Sequence, residues 1–138
     1  MSDSNLFELK VITPERIFFE GQVSMVEFNT TEGELGVYKG HIPLTVIVDP
    51  GILTITTEEG PRNAALHAGF AEILPNRVTI LAELVEWPSE IDAQRAEAAK
   101  SRAELRLSHK GPDIDADRAT VALKKIIVQL TIILWEIL

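Results

Sequence analysis

The sequence predicts an α+β fold: an N-terminal antiparallel β-sandwich over residues 1–87, followed by an antiparallel two-helix hairpin over residues 88–138. Short β-branched and apolar runs, separated by turn residues, fill the chain up to about Trp87. Residues 90–109 then contain neither Gly nor Pro and are rich in Ala, Glu, Arg and Leu, all strong helix formers. A Lys110-Gly111-Pro112 break precedes a second apolar helical run. A change of period from two to 3.6 residues along one chain separates two kinds of layer.

The strands are justified one by one. Phe7, Leu9 and Val11, then Ile17 and Phe19, alternate with more polar neighbours, as half-buried strands do. The runs 25–28, 44–49, 52–57 and 77–84 are β-branched and apolar. Glu20-Gly21, Asp49-Pro50-Gly51, Glu59-Gly60-Pro61 and Pro75-Asn76 supply the turn chemistry between them. Strands so short and so evenly spaced indicate a sandwich or barrel. In the helical half, Ser89 and Asp92 resemble a capping box with Asp replacing Glu. Gly111 and Pro112 end the first helix, and the second starts at Asp113–Asp115. So short a connection makes the helices antiparallel neighbours.

Composition narrows the function. A net charge of -8 excludes a basic footprint for nucleic acid. With no cysteine there is no disulfide frame or thiolate metal site. The N-terminal MSDSNLFELK lacks a basic region and an apolar core, so no secretory signal is expected. The apolar run 126–138 is short of the roughly 20 residues that span a bilayer, so a soluble or peripheral protein is expected. His41, His67 and His109 form no HExxH pair, and no nucleophile elbow or Walker loop is present, so neither a catalytic nor a metal site is expected.

Two features stand out. The stretch TEGELGVYKGHIPL (31–44) carries Gly33, Gly36 and Gly40 with Glu32 and Glu34, a backbone built for a sharp fold. The helix starts repeat as Ile91-Asp92-Ala93-Gln94-Arg95-Ala96 and Ile114-Asp115-Ala116-Asp117-Arg118-Ala119. This repeat has two readings. In the structural one, Asp caps, Arg pairs with it and Ala allows close packing. In the other it is an anion or nucleotide site: Arg95 and Arg102 share a helical face, Glu86 precedes the helix as an acceptor, and folding about Pro112 brings Lys125 and Gln129 towards Arg95.

With these residues assembled, the chain resembles the epsilon subunits of bacterial F-type ATP synthases over nearly its whole length. The carriers are the sandwich pattern, the glycine stretch from Glu32 to Tyr38 with Gly40, His41, Pro43 and Leu44, the Asp49-Pro50-Gly51 turn and both Ile-Asp-x-x-Arg-Ala helix starts. The resemblance implies a ten-stranded sandwich and a two-helix domain in a non-catalytic rotor subunit. That subunit couples the gamma shaft to the c ring, on the cytoplasmic face of the bacterial membrane and attached only through the complex. It implies that Glu32, Gly33, Glu34, Leu35 and Gly36 form a loop meeting the c ring, with Glu34 near its tip, and that Tyr38 and His41 contact gamma or the rotor. It implies a hairpin that inhibits ATP hydrolysis when it extends towards the beta subunit. No cofactor is required, and ATP is the candidate regulatory ligand, at Glu86, Ile91, Asp92, Arg95, Ala96, Arg102 and Lys125. Lys125 and Gln129 depart from the arginines expected on the second helix, which weakens the implied site. The tail beyond Lys125 carries nothing basic and is apolar on nearly every side, including Trp135. That favours the rival reading, a free-standing β-sandwich binding module oligomerising through its C-terminal helix.

Overall fold

The computed structural model describes residues 5–108 and 116–137, with side chains for 5–108 and 120–134. The chain divides between Val85 and Glu86 into two compact units. The first is a sheet of ten strands among the described residues: β1 (Phe7–Ile12), β2 (Ile17–Val23), β3 (Met25–Thr30), β4 (Gly33–Val37), β5 (Leu44–Val48), β6 (Gly51–Thr57), β7 (Gly60–Leu66), β8 (Gly69–Leu74), β9 (Arg77–Ala82) and β10 (Val85–Glu86). Their order is β10-β7-β6-β3-β5-β8-β9-β1-β2, with β4 also paired to β3. Only Thr30↔Val48 joins β3 to β5, so the sheet folds there into two layers of five strands. All pairings with a described register are antiparallel except β1 with β9, which is parallel.

The core follows from strand alternation. Phe7, Leu9 and Val11 of β1 are buried, as are Val26 and Phe28 of β3, Leu53 and Ile55 of β6, and Ile73 and Ile80 of β8 and β9. Each such side chain contributes about 1.5–3 kcal/mol by leaving water, enough in sum to hold the sandwich without a disulfide. Strands β4, β7 and β8 lie outside the runs that the sequence marks. Gly-Pro-Arg-Asn opens β7 and three glycines surround β4, so local preference is poor. Full pairing of β7 with β6 and of β4 with β3 outweighs it.

One expected alternation fails. Ile17 was expected on the buried face with Phe19, but the β1–β2 register shifts between Val11 and Ile12. The irregularity turns Phe18 inward and Ile17 outward. Arg16 caps this turn, its guanidinium 5.2 Å from the centre of the Phe18 ring.

In the second unit a short 3-10 turn, Pro88–Glu90, precedes α1 (Ala93–Ser108), and α2 spans Ala116–Ile137. The Ser89–Asp92 box does not form. Ile91 is extended (φ -92°, ψ 127°), which separates the turn from α1. Asp92 itself caps α1, its Oδ1 accepting from the Arg95 N–H at 3.1 Å. Residues 109–115, including the Gly111-Pro112 break and the expected second helix start, lie outside the described residues, as do the side chains of Asp117, Arg118 and Trp135. The helices are antiparallel: Ala93 and Glu97 of α1 line the same cleft as Ile127, Leu130 and Leu134 of α2. No helix among the described residues is long and apolar enough to cross a membrane.

Candidate functional site

Residues 31–44 form a hairpin and a turn rather than one loop. Thr30 pairs with Gly33, so only Thr31 and Glu32 lie at the tip. The Thr30 hydroxyl accepts from the Glu32 N–H at 3.1 Å and donates to the Gly33 carbonyl at 2.7 Å. Gly33 has φ +124°, where a side chain is strained. The same device recurs at Thr57–Gly60, where the Thr57 hydroxyl accepts from Glu59 and donates to Gly60, whose φ is +111°. A Thr-x-Glu-Gly repeat thus specifies both turns, a signal present in the sequence and not used in reading it.

The five residues expected to form a contact loop therefore separate. Glu32 sits at the tip and Glu34 on the exposed side of β4, opposite Asn29. Leu35 is half-buried opposite Phe28. Gly36 lies within β4, where a Cβ would come 3.1 Å from the Met25 methyl. Glu34 is a strand residue rather than a loop tip, because pairing with β3 starts at Gly33.

Beside this acidic turn runs a feature that no single stretch of sequence displays. Ile47 pairs with Phe70, Phe70 with Leu81, Leu81 with Ile12, and Ile12 with Ile17. These five side chains form a row across β5, β8, β9, β1 and β2 on the outer face of one layer. Ile47 is 63% exposed, Ile17 54%, Phe70 50% and Leu81 36%. The next outward row, Thr45, Glu72, Thr79, Lys10 and Glu20, is polar, and Lys10 pairs with Glu20 at 3.3 Å. The Thr31 N–H donates to the Ile47 carbonyl at 3.1 Å, which sets the acidic turn at the end of the apolar row. A contiguous apolar ribbon with a polar border is the anatomy of an interaction surface.

Tyr38 and His41 lie at the other end of β4, roughly 15 Å along the strand from Gly33. There the Gly40 N–H donates to the Pro75 carbonyl at 2.6 Å, with Gly40 at φ +86°. Tyr38 and Ile42 are exposed, and His41 Nδ1 lies 2.7 Å from the Ile42 carbonyl.

In the helical unit the expected nucleotide residues divide into two sets. Asp92 caps α1, and Ala96 is buried, with its N–H bonded to the Asp92 carbonyl at 3.0 Å. Both serve the structural reading. Arg95 and Arg102 are exposed on one face of α1, and among the described residues neither guanidinium joins an ion pair. Ile91 is half-buried at the end of the 3-10 turn. Glu86 accepts a 2.5 Å hydrogen bond from the Gln129 amide, and Lys125 lies one helical turn before Gln129. Gln129 thus reaches Glu86, whereas Arg95 faces solvent. Among the described residues no cluster of side chains could hold a metal.

The family model for the β-sandwich domain of the ATP synthase delta/epsilon chain matches residues 6–88, and the model for its long α-helix domain matches residues 89–133. The chain belongs to the ATP synthase delta/epsilon family. Family chains named ATP synthase epsilon chain resemble it closely. One from Caldicellulosiruptor bescii is 43% identical, covering 90% of each chain. Another from Caldanaerobacter subterraneus is 42% identical over 91% of this chain and 92% of its own. The fold also matches a chain in the cryo-EM structure of the Euglena gracilis mitochondrial ATP synthase. There the TM-score is 0.81 at 23% identity, covering 94% of this chain and 81% of that one. A chain of the Tetrahymena thermophila central stalk and c ring matches less closely, with TM-score 0.56 at 17% identity. Family membership makes this an epsilon-type, non-catalytic chain with the sandwich-plus-hairpin fold.

Proposed function

We propose that the chain is a rotor subunit of a proton- or sodium-translocating F-type ATP synthase, joining the gamma shaft to the c ring. The observation that carries this reading is the exposed apolar row from Ile17 to Ile47 ending at the Glu32 turn. The row offers an apolar seat for the shaft. Glu32 and Glu34 suit a partner loop bearing Arg or Lys, where charge complementarity sets register and rate of encounter. Tyr38 and His41, with Ile42, serve as a second rotor contact at the opposite end of the sandwich. The proposed location is peripheral, on the cytoplasmic face of the bacterial membrane, through the complex alone. Kinship with chains named ATP synthase epsilon chain supports this reading over a free-standing module oligomerising through its last helix.

The hairpin is the proposed brake on ATP hydrolysis, acting through the beta subunit when extended. ATP is its proposed regulatory ligand, bound through Arg95 and Arg102. Affinity is expected to be weak, because Glu86 already accepts from Gln129 and Lys125 lacks the planar fork of arginine. Size-exclusion chromatography with the gamma subunit from the same source tests the rotor reading. A stable one-to-one complex is the expected result, and separate elution contradicts it. Calorimetric titration with ATP tests the ligand: weak, saturable heat is expected from the native chain and none from an Arg95→Ala, Arg102→Ala double variant.

A further inference from the structure

Helix α2 carries more apolar surface than the hairpin covers. Its buried side chains among the described residues are Val128 and Ile132, one turn apart. Roughly 150° around the helix from these two runs a second stripe, Leu123, Ile127, Leu130 and Leu134, at intervals of four, three and four residues. That is the 3.5-residue repeat by which one helix meets another along its length. The stripe stays open to solvent: Ile127 is 45% exposed and Leu134 54%. Between it and one face of α1, marked by Ala93, Glu97 and Lys100, lies a cleft of about 370 Å3. The hairpin thus presents a groove with an apolar wall from α2 and a small, charged wall from α1.

We propose that this groove is the surface through which two copies of the free chain associate. The hairpins pair about a two-fold axis near Leu130, each α2 lying in the groove of the other copy, to form a four-helix bundle. What the groove lacks is a helix with an apolar stripe of the same repeat, and α2 is such a helix. A stripe placed on a two-fold axis meets itself, which is the condition for an isologous interface. Charge decides which part of the chain can pair. Residues 1–85 carry twelve acidic and five basic residues, a net of -7, whereas residues 86–138 carry nine and eight, a net of -1. Two sandwiches therefore repel each other, and two hairpins do not. The groove's border holds one anion, Glu97, and one cation, Lys100, so it adds no repulsion of either sign. The pairing also gives a reason for the absence of basic residues beyond Lys125, since a charge on the stripe would face its own copy across the axis. It does not rest on the rotor reading, because it uses no residue of the sandwich row or of the acidic turn.

Sedimentation equilibrium of the full chain over a wide concentration range tests the proposal. A reversible monomer–dimer equilibrium is the expected result. Ile127→Lys should weaken the dimer by about thirtyfold with a melting temperature near the native one, since Ile127 is half exposed. Ile42→Lys is the control: Ile42 is more exposed, at 73%, but lies in the sandwich, and the dimer should persist. The chain contains no cysteine, so Leu130→Cys alone reports whether two copies meet at the axis. Mild oxidation should link that variant into dimers and leave Glu72→Cys monomeric. A chain that stays monomeric at every concentration, a dimer indifferent to Ile127→Lys, or one dissolved by Phe70→Asp overturns the proposal. So does a monomer in which Ile127→Lys weakens gamma binding, for the groove then belongs to a partner's helix. Gamma binding by the native chain is read separately by chromatography, so the rotor reading and the dimer can fail independently.

Discussion

Gly69 shows how far single atoms constrain this sandwich. A Cβ there would lie 2.0 Å from the Leu81 carbonyl oxygen and 2.7 Å from the Ala82 Cα, both backbone atoms that cannot step aside. Gly33 differs: nothing lies near its missing Cβ, and only its φ of +124° demands glycine. Gly69→Ala is therefore predicted to cost about 2–3 kcal/mol as an overpacked site, and Gly33→Ala about 1 kcal/mol as backbone strain. Urea denaturation at constant slope ranks the two, and the reverse order would refute this account of the glycines. Sequence reading found Gly33 because its role is local. It could not find Gly69, since the obstructing carbonyl belongs to a strand twelve residues away. The acidic pair Glu32 and Glu34 was equally legible, because turn chemistry and charge both lie within a few residues.

Legibility among the elements follows the same division between local and distant causes. Strands β1, β3, β5, β6 and β9 announce themselves by β-branched runs, whereas β4, β7 and β8 depend on partners. The β1–β2 irregularity, which exposes Ile17, is also set by pairing rather than by pattern. The helices were visible from composition, yet α1 starts at Ala93 rather than at Ser89. Pro88 and the extended Ile91 interpose a separate turn. Asp92→Ala removes the only side-chain cap described for α1 and is predicted to destabilise that helix by about 1 kcal/mol. Faster exchange confined to the first turns of α1 would confirm it. An unchanged rate would show that Asp92 serves some purpose other than capping.

For the whole molecule, the informative surface is the row of Ile17, Ile12, Leu81, Phe70 and Ile47. Each of these residues looks like an ordinary strand residue in the sequence. They become neighbours only through four pairings, one of them the parallel β1–β9 contact that local pattern does not imply. That is why family resemblance pointed to a rotor partner while the residues named for it lay in the glycine stretch. The geometry adds the apolar face and places Tyr38 and His41 at the far end. Reversing the acidic turn with Glu32→Lys and Glu34→Lys should weaken c-ring association and flatten its dependence on salt. Binding at several salt concentrations checks this. A full salt response in the reversed chain would count against the acidic contact.

The most direct measurement is the affinity of the gamma subunit for the native chain and for Phe70→Asp, with Glu72→Ala from the adjoining polar row as control. Phe70 is half exposed, so the substitution should leave the melting temperature nearly unchanged. At the centre of a buried interface it should weaken binding by about thirtyfold, while Glu72→Ala binds as the native chain does. If Phe70→Asp binds gamma with native affinity, the apolar row is not the seat of the shaft.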